Sequence, residues 1–186
     1  VLEIELQLQD TDLSIPLRHL GGERVPLAKA RESVLETRRA KGMVLDAADY
    51  DTWSAGSFFT NPVVPSAVAD EIEAEVGEER MPRFPAGDGQ EKLSAAWLID
   101  HAGFAKGFGL PDVAPREGGP DGRGADGTGL AGGRASVSTK HTLAMTNRGD
   151  ASTEDVLTIA RTVRDGVKAR FGVDLHPEPM IIGTSL

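Results

Sequence analysis

Ser54-Ala55-Gly56-Ser57-Phe58-Phe59-Thr60-Asn61-Pro62 sets one hydroxyl, Ser57, directly after a glycine and before two aromatic rings. Gly56 opens backbone conformations closed to other residues, or lets a ligand approach closely. Phe58 and Phe59 can anchor the segment in a core or wall a pocket. Asn61 brings an amide that both donates and accepts, and Pro62 ends a strand ladder. Two readings follow. One is a buried strand with a glycine bulge; the other is a positioned hydroxyl beside an amide, suited to proton delivery or ligand orientation.

Further along the chain, His176-Pro177-Glu178-Pro179 brackets a carboxylate between two prolines. Proline fixes its own φ and keeps the preceding residue extended, so Glu178 is either rigidly aimed or an exposed loop glutamate. Arg38, Arg39 and Lys41 form a basic cluster. It reads as the solvated C-terminal end of a helix, where cations are favoured, or as a partner for a diphosphate. Ser138-Thr139-Lys140-His141 and Thr146-Asn147-Arg148-Gly149 are dense in polar groups around Leu143 and Met145, as at a strand end facing a cleft. A serine nucleophile would want a Gly-x-Ser-x-Gly elbow. The flanks of Ser57 do not supply it, although His19, His101, His141 and His176 are candidate bases. No His, Asp or Glu set has zinc or calcium ligand spacing.

With 29 acidic and 20 basic residues among 186, the chain carries a net charge of −9. That balance argues against nucleic-acid partners and against an anionic membrane surface. The chain has no cysteine, so disulfides, thiolate metal sites and thiol nucleophiles are excluded. No stretch is apolar enough to span a membrane. A cytoplasmic protein is expected, and the start at Val1, inside a strand-like pattern, suggests a piece of a longer chain.

Residues 1–8 alternate, with Leu2, Ile4, Leu6 and Leu8 against Glu3, Glu5 and Gln7, which predicts a strand with one wet face. Helices are expected over 27–41, over 66–76 with Ser66 as its cap, and over 91–102. A fourth is expected over 153–171, opened by a capping box of Ser152 and Asp155 and closed by Gly172. Its buried stripe is Val156, Ile159, Ala160, Val163, Val167 and Phe171. The Gly- and Pro-rich stretch 111–136 lacks the composition for a packed core and reads as a mobile loop.

Residues 54–64 resemble the serine motif of the UDP-N-acetylenolpyruvoylglucosamine reductase family. Four further blocks fit in order: Arg38–Met43, Lys92–Asp100, Ser138–Ala144 with Thr146–Gly149, and Leu175–Pro179. The resemblance implies an α+β fold, namely that family's C-terminal substrate-binding domain with a remnant of the FAD-binding domain before it. It divides the chain into a last strand and tail (1–20), a connecting helix with the basic cluster (21–46), a substrate-binding domain (47–172) and a C-terminal catalytic segment (173–186). It implies Ser57 as general acid and Glu178 as its catalytic partner at the enolpyruvyl group. Lys41, Arg38 and Asn61 are then substrate contacts. The implied substrate is UDP-N-acetylglucosamine enolpyruvate, and the implied cofactors are FAD and NADPH, with the flavin-binding half missing. A nucleotide-sugar-binding module without turnover is the alternative.

Overall fold

The computed structural model describes residues 3–77, 80–116, 118–124 and 127–186. It divides into two compact units, Val1–Val44 and Leu45–Leu186. In the first, Ser14 and Val25 bond to each other: Ser14 N–H donates to the Val25 carbonyl (2.9 Å), and Val25 N–H to the Ser14 hydroxyl (3.1 Å). Helix α1, Leu27–Ala40, follows. Of the strand expected over 1–8, Val1 and Leu2 lie outside the described residues. Residues 3–8 carry no strand and stand exposed, with Ile4, Leu6 and Leu8 all more than 70% accessible. Alternation alone does not make a strand; it needs a neighbour to hold its ladder bonds, and none pairs with 3–8 among the described residues.

The second unit is α+β. Strands β1 (Ser54–Ser57), β6 (Ala144–Asn147) and β5 (Ala135–Val137) make an antiparallel sheet in the order β1-β6-β5. Strands β2 (Val63–Pro65), β4 (Gln90–Leu93) and β3 (Arg83–Gly87) make a second, in the order β2-β4-β3. Helix α2 (Ser66–Val76) packs on β2 and β4; α4 (Thr153–Phe171) packs on β5, β6 and α3 (Ala95–His101). Phe59, Leu93, Leu98, Ile99, Phe104, Val137, Ile159, Val163, Val167 and Leu175 are almost wholly inaccessible and form the core between them.

Helix α4 follows its sequence closely. Ser152 and Asp155 make the reciprocal capping box, and Gly172 takes the left-handed conformation at the C-cap. Val156 is the exception in the stripe, being only half-buried. The helix expected over 91–102 starts later. Gln90–Leu93 pairs with β3 as a strand, and Ser94 caps α3 by accepting the Trp97 N–H at 3.3 Å. The cause is the two-residue turn Asp88-Gly89, whose φ values of 48° and 70° match the mirror-image turn that joins hairpin strands. Ser66 begins α2 but does not cap it, because its hydroxyl donates to the Gly89 carbonyl at 2.9 Å.

The stretch 111–136 has packed portions at its end. Leu130 lies against the core, and Ala135–Val137 is strand β5. At Gly129 an added Cβ would stand 2.0 Å from the Gly109 carbonyl oxygen. Its glycines therefore permit close backbone approach as well as freedom. Gly166, inside α4, shows the same constraint more sharply. Helix propensity alone would make Gly166→Ala stabilising by about 1 kcal/mol. A Cβ there would meet the buried Phe104 ring at 2.4 Å, an overpacking worth about 1–3 kcal/mol in the other direction. Gly166→Ala should lower the melting temperature, measured by calorimetry or circular dichroism; a raised value would show that the Phe104 ring yields freely.

Candidate functional site

Ser54 pairs with Thr146 and Ser57 with Ala144, so β1 spends one more residue than β6 over the same span. That is a bulge, and Gly56, at φ 85°, is the residue that allows it. The two readings of the opening segment thus describe one object: the glycine bulge sets where the serine stands. Ser57 is half-buried, on the outermost strand of its sheet. Phe58 and Phe59 beyond it are buried edge-to-face, with ring centres 5.1 Å apart.

The C-terminal segment returns to this strand. Glu178 N–H donates to the Phe58 carbonyl at 2.8 Å, Thr60 N–H donates to the His176 carbonyl at 3.0 Å, and Phe59 bridges Pro177. In an antiparallel pair, directly opposed residues alternate between bonded and non-bonded. Phe59 and Pro177 form a non-bonded pair, so the missing proline N–H costs nothing there. Glu178, one step on, has the N–H that the ladder uses. The Pro-Glu-Pro spacing thus matches the ladder's period of two. Ser57 and Glu178, far apart in sequence, lie on neighbouring extended segments, with Phe58 bonded to the Glu178 amide and Ser57 next to Phe58. The Glu178 side chain is exposed.

The other expected site residues are placed differently. Asn61 turns its Oδ1 to the Ala95 N–H (2.9 Å), helping Ser94 to cap α3. Lys92, exposed on β4, pairs in register with Val63, two residues after Asn61. Arg38 is exposed in the last turn of α1, and Lys41 follows as its exposed C-cap residue, with its N–H on the Arg38 carbonyl at 3.1 Å. Both belong to the first unit. Of the histidines, His19 meets Ser33 (2.8 Å), His101 stacks on Trp97 (3.6 Å), and His141 Nδ1 accepts from Leu143 N–H (3.1 Å), while the backbone carbonyl of His176 takes the Thr60 N–H.

A cleft of about 550 Å³ opens along β1 and β6, walled mainly by Leu45, Trp53, Ala55, Phe58, Met145 and Val156, with Pro179 at its border. Its polar lining is occupied internally: Asn147 Oδ1 accepts the N–H groups of Gly149 and Ala151, and the Thr52 hydroxyl donates to the Asp46 and Asp49 carbonyls. The cleft is apolar in character.

Beneath the strand end lies a buried charge that sequence reasoning did not single out. Asp51, 6% exposed, accepts the Thr139 N–H at 2.8 Å and the Thr139 hydroxyl, and pairs with Arg148 at 3.1 Å. Arg148 also donates to the Ser136 hydroxyl at 2.8 Å. Burial pushes the Asp51 carboxyl up, but the hydrogen bonds from Thr139 and Ser138 and the Arg148 charge outweigh it, so its pKa lies below the ordinary 3.8. Beside Arg148, whose N–H donates to its carbonyl at 2.8 Å, Arg134 holds Asp155 of the α4 capping box by two bonds, at 3.0 and 2.6 Å. The Arg134 guanidinium, helped by Ser152, keeps the Asp155 carboxyl far below the ordinary range. Thr139 and Arg148 sit in the polar-dense blocks, so half of this cluster was visible in the sequence. Asp51 carried no local signal.

A model of the family described as UDP-N-acetylenolpyruvoylglucosamine reductase, C-terminal domain, matches residues 48–117 and 123–182. A protein of Corynebacterium glutamicum named UDP-N-acetylenolpyruvoylglucosamine reductase 2 is 52% identical over 198 aligned positions, covering 100% of this chain and 48% of the relative. Proteins named UDP-N-acetylenolpyruvoylglucosamine reductase from Saccharopolyspora erythraea and Mycolicibacterium gilvum are 51% and 49% identical, again over the whole of this chain and 49% and 50% of their own lengths. The chain spans about half the length of the curated relatives it matches.

The Asp51 cluster predicts an acid response. A carboxyl with a depressed folded-state pKa contributes its full stability above 3.8 and loses it as pH falls through the lower folded value. Asp51→Asn leaves the part-buried Arg148 without its counter-charge. At neutral pH the variant should be less stable by about 3–5 kcal/mol, and the gap to wild type should narrow once pH drops below 3.8. Calorimetry across that range checks it; a gap that stays constant with pH would show that Asp51 acts by shape alone.

Proposed function

The chain belongs to the UDP-N-acetylenolpyruvoylglucosamine reductase family through its C-terminal domain, and from that premise we propose that it forms the substrate and proton-donating side of a cytoplasmic enzyme of peptidoglycan synthesis. In this reading the complete protein reduces UDP-N-acetylenolpyruvoylglucosamine to UDP-N-acetylmuramate. The observation that carries it is the bond from the Glu178 amide to the Phe58 carbonyl, which brings the backbone of the Pro-Glu-Pro segment to the residue that follows Ser57.

Reducing an enolpyruvyl double bond takes a hydride on one carbon and a proton on the next. FAD, reduced in turn by NADPH, would supply the hydride when bound. The residues present fit the proton half. They comprise a half-buried hydroxyl on an edge strand and a carboxylate on an adjoining extended segment; the apolar cleft along the same strand is lined by their neighbours Phe58 and Pro179 and not by Ser57 or Glu178 themselves. Ser57 gives its proton to the carbanionic carbon, and Glu178 assists at the enolpyruvyl group. A serine hydroxyl is a weak acid, so nearby donors or cations must stabilise its alkoxide at that moment. Lys41 and Arg38 meet the diphosphate of the nucleotide sugar. Asn61, with its Oδ1 engaged by Ala95, offers its NH₂ group to the substrate.

In the complete reductase, Ser57→Ala should cut turnover by about 10²–10⁴ while leaving flavin reduction by NADPH and the Michaelis constant nearly unchanged. Glu178→Gln should behave likewise. Stopped-flow measurement of the two half-reactions decides: equal slowing of both would make Ser57 structural. Lys41→Ala should weaken UDP-sugar binding at low salt, with a loss that shrinks as salt screens the wild-type attraction; unchanged affinity at low salt would remove Lys41 from the site. A second reading is a nucleotide-sugar-binding module without turnover. Flavin absorbance surviving desalting of the 186-residue protein would count against it.

A further inference from the structure

The turn between β5 and β6 contains an imidazole that belongs to the backbone bonding of the serine strand. The Ser138 hydroxyl oxygen accepts the N–H groups of Lys140 (3.0 Å) and His141 (3.2 Å). His141 Nδ1 accepts the N–H of Leu143 at 3.1 Å. The Leu143 carbonyl accepts the Phe58 N–H at 2.8 Å, and the Phe58 carbonyl accepts the Glu178 N–H at 2.8 Å. Residue by residue, these bonds join the imidazole to Leu143, Leu143 to Phe58, which follows Ser57, and Phe58 to Glu178.

The bulge explains why this series matters. Between Ser54 and Ser57 the register of β1 on β6 shifts, so the ladder before the bulge does not fix the residues after it. Beyond the bulge, the Ser57–Ala144 pairing and the Leu143 carbonyl set the position of the strand. Leu143 itself lies at the exit of a turn, where its N–H needs an acceptor. A side-chain acceptor at one residue taking the N–H two residues on is the geometry of an Asx turn. Here an imidazole nitrogen fills the place of the asparagine oxygen. That bond requires a bare Nδ1, which puts the ring proton on Nε2.

We infer that His141 is a positioning residue for Ser57 and Glu178. Its Nδ1 lone pair holds the Leu143 N–H, which aims the Leu143 carbonyl at Phe58 and keeps the serine strand in register with the C-terminal segment. The inference rests on the proposed function only in treating Ser57 and Glu178 as the reacting pair; the hydrogen-bond series stands apart from it.

Amide hydrogen exchange on the ¹⁵N-labelled 186-residue chain tests it. His141→Leu keeps bulk and removes the acceptor; His141→Asn restores an acceptor in the same turn. In His141→Leu the amides of Leu143, Phe58 and Glu178 should exchange about tenfold faster, with those of β3 and β4 unchanged. His141→Asn should return them to within about threefold of wild type. In the complete reductase, turnover should fall with leucine and recover with asparagine at a nearly constant Michaelis constant. Wild-type exchange at Phe58 and Glu178 in His141→Leu would overturn the inference. So would asparagine failing where leucine fails, since the ring's bulk or another of its contacts rather than Nδ1 would then be responsible, and so would equal acceleration in β3 and β4. A reductase that keeps full turnover with Ser57→Ala would sink the functional reading and leave the exchange result intact.

Discussion

The bond from the Glu178 amide to the Phe58 carbonyl, with its companion from Thr60 to His176, is what the site depends on. Each such bond contributes only about 0.5–1.5 kcal/mol net. Their effect is geometric. They fasten a C-terminal segment, with no helix or longer strand of its own after Gly172, to the edge of β1. Buried side chains on both sides of the join supply the remaining hold: Phe59 on the strand, and Val173 and Leu175 just before His176. Pro177 and Pro179 remove donors the ladder does not use and stiffen the backbone on either side of the one donor it does use.

Strand β6 transmits this arrangement to the rest of the unit. It is central in its sheet, between β1 with the serine and β5. Arg148 follows β6 directly and ties the Ser136 hydroxyl of β5 to the buried carboxylate of Asp51, just ahead of β1. Arg134, just before β5, clamps the first turn of α4 through Asp155. Removing one partner of a buried pair costs far more than the pair contributes net, so such clusters fix register more than they add stability. The sheet that carries Ser57 is thus held by charge where β5 begins and β6 ends, and from one face by the apolar stripe of α4.

Legibility in the sequence tracked how local the determining interactions are. Helix α4 could be read nearly residue for residue, because its capping box, stripe and left-handed glycine lie within it. The start of α3 could not, because Leu93 answers to Arg83 across a hairpin. The Asp88-Gly89 turn was nevertheless a local signal for that hairpin. Residues 3–8 alternate as a strand does, yet no partner among the described residues holds them. Ser57 was conspicuous through its glycine and aromatic flanks, and Glu178 through its prolines, but nothing in their spacing joins them; only the returning segment does. Asn61 was singled out for its amide, and the structure gives that amide a capping duty as well. Asp51 was silent because a buried carboxylate is defined by Thr139 and Arg148, both distant in sequence.

The join itself can be observed without substrate or cofactor. A long-range NMR experiment that detects scalar coupling across hydrogen bonds reports a donor nitrogen and its acceptor carbonyl directly. On the labelled 186-residue chain, the account predicts a cross-peak between the Glu178 nitrogen and the Phe58 carbonyl carbon, with a slowly exchanging Glu178 amide. A Glu178 amide that exchanges at the rate of an unstructured chain and shows no coupling to Phe58 would contradict it.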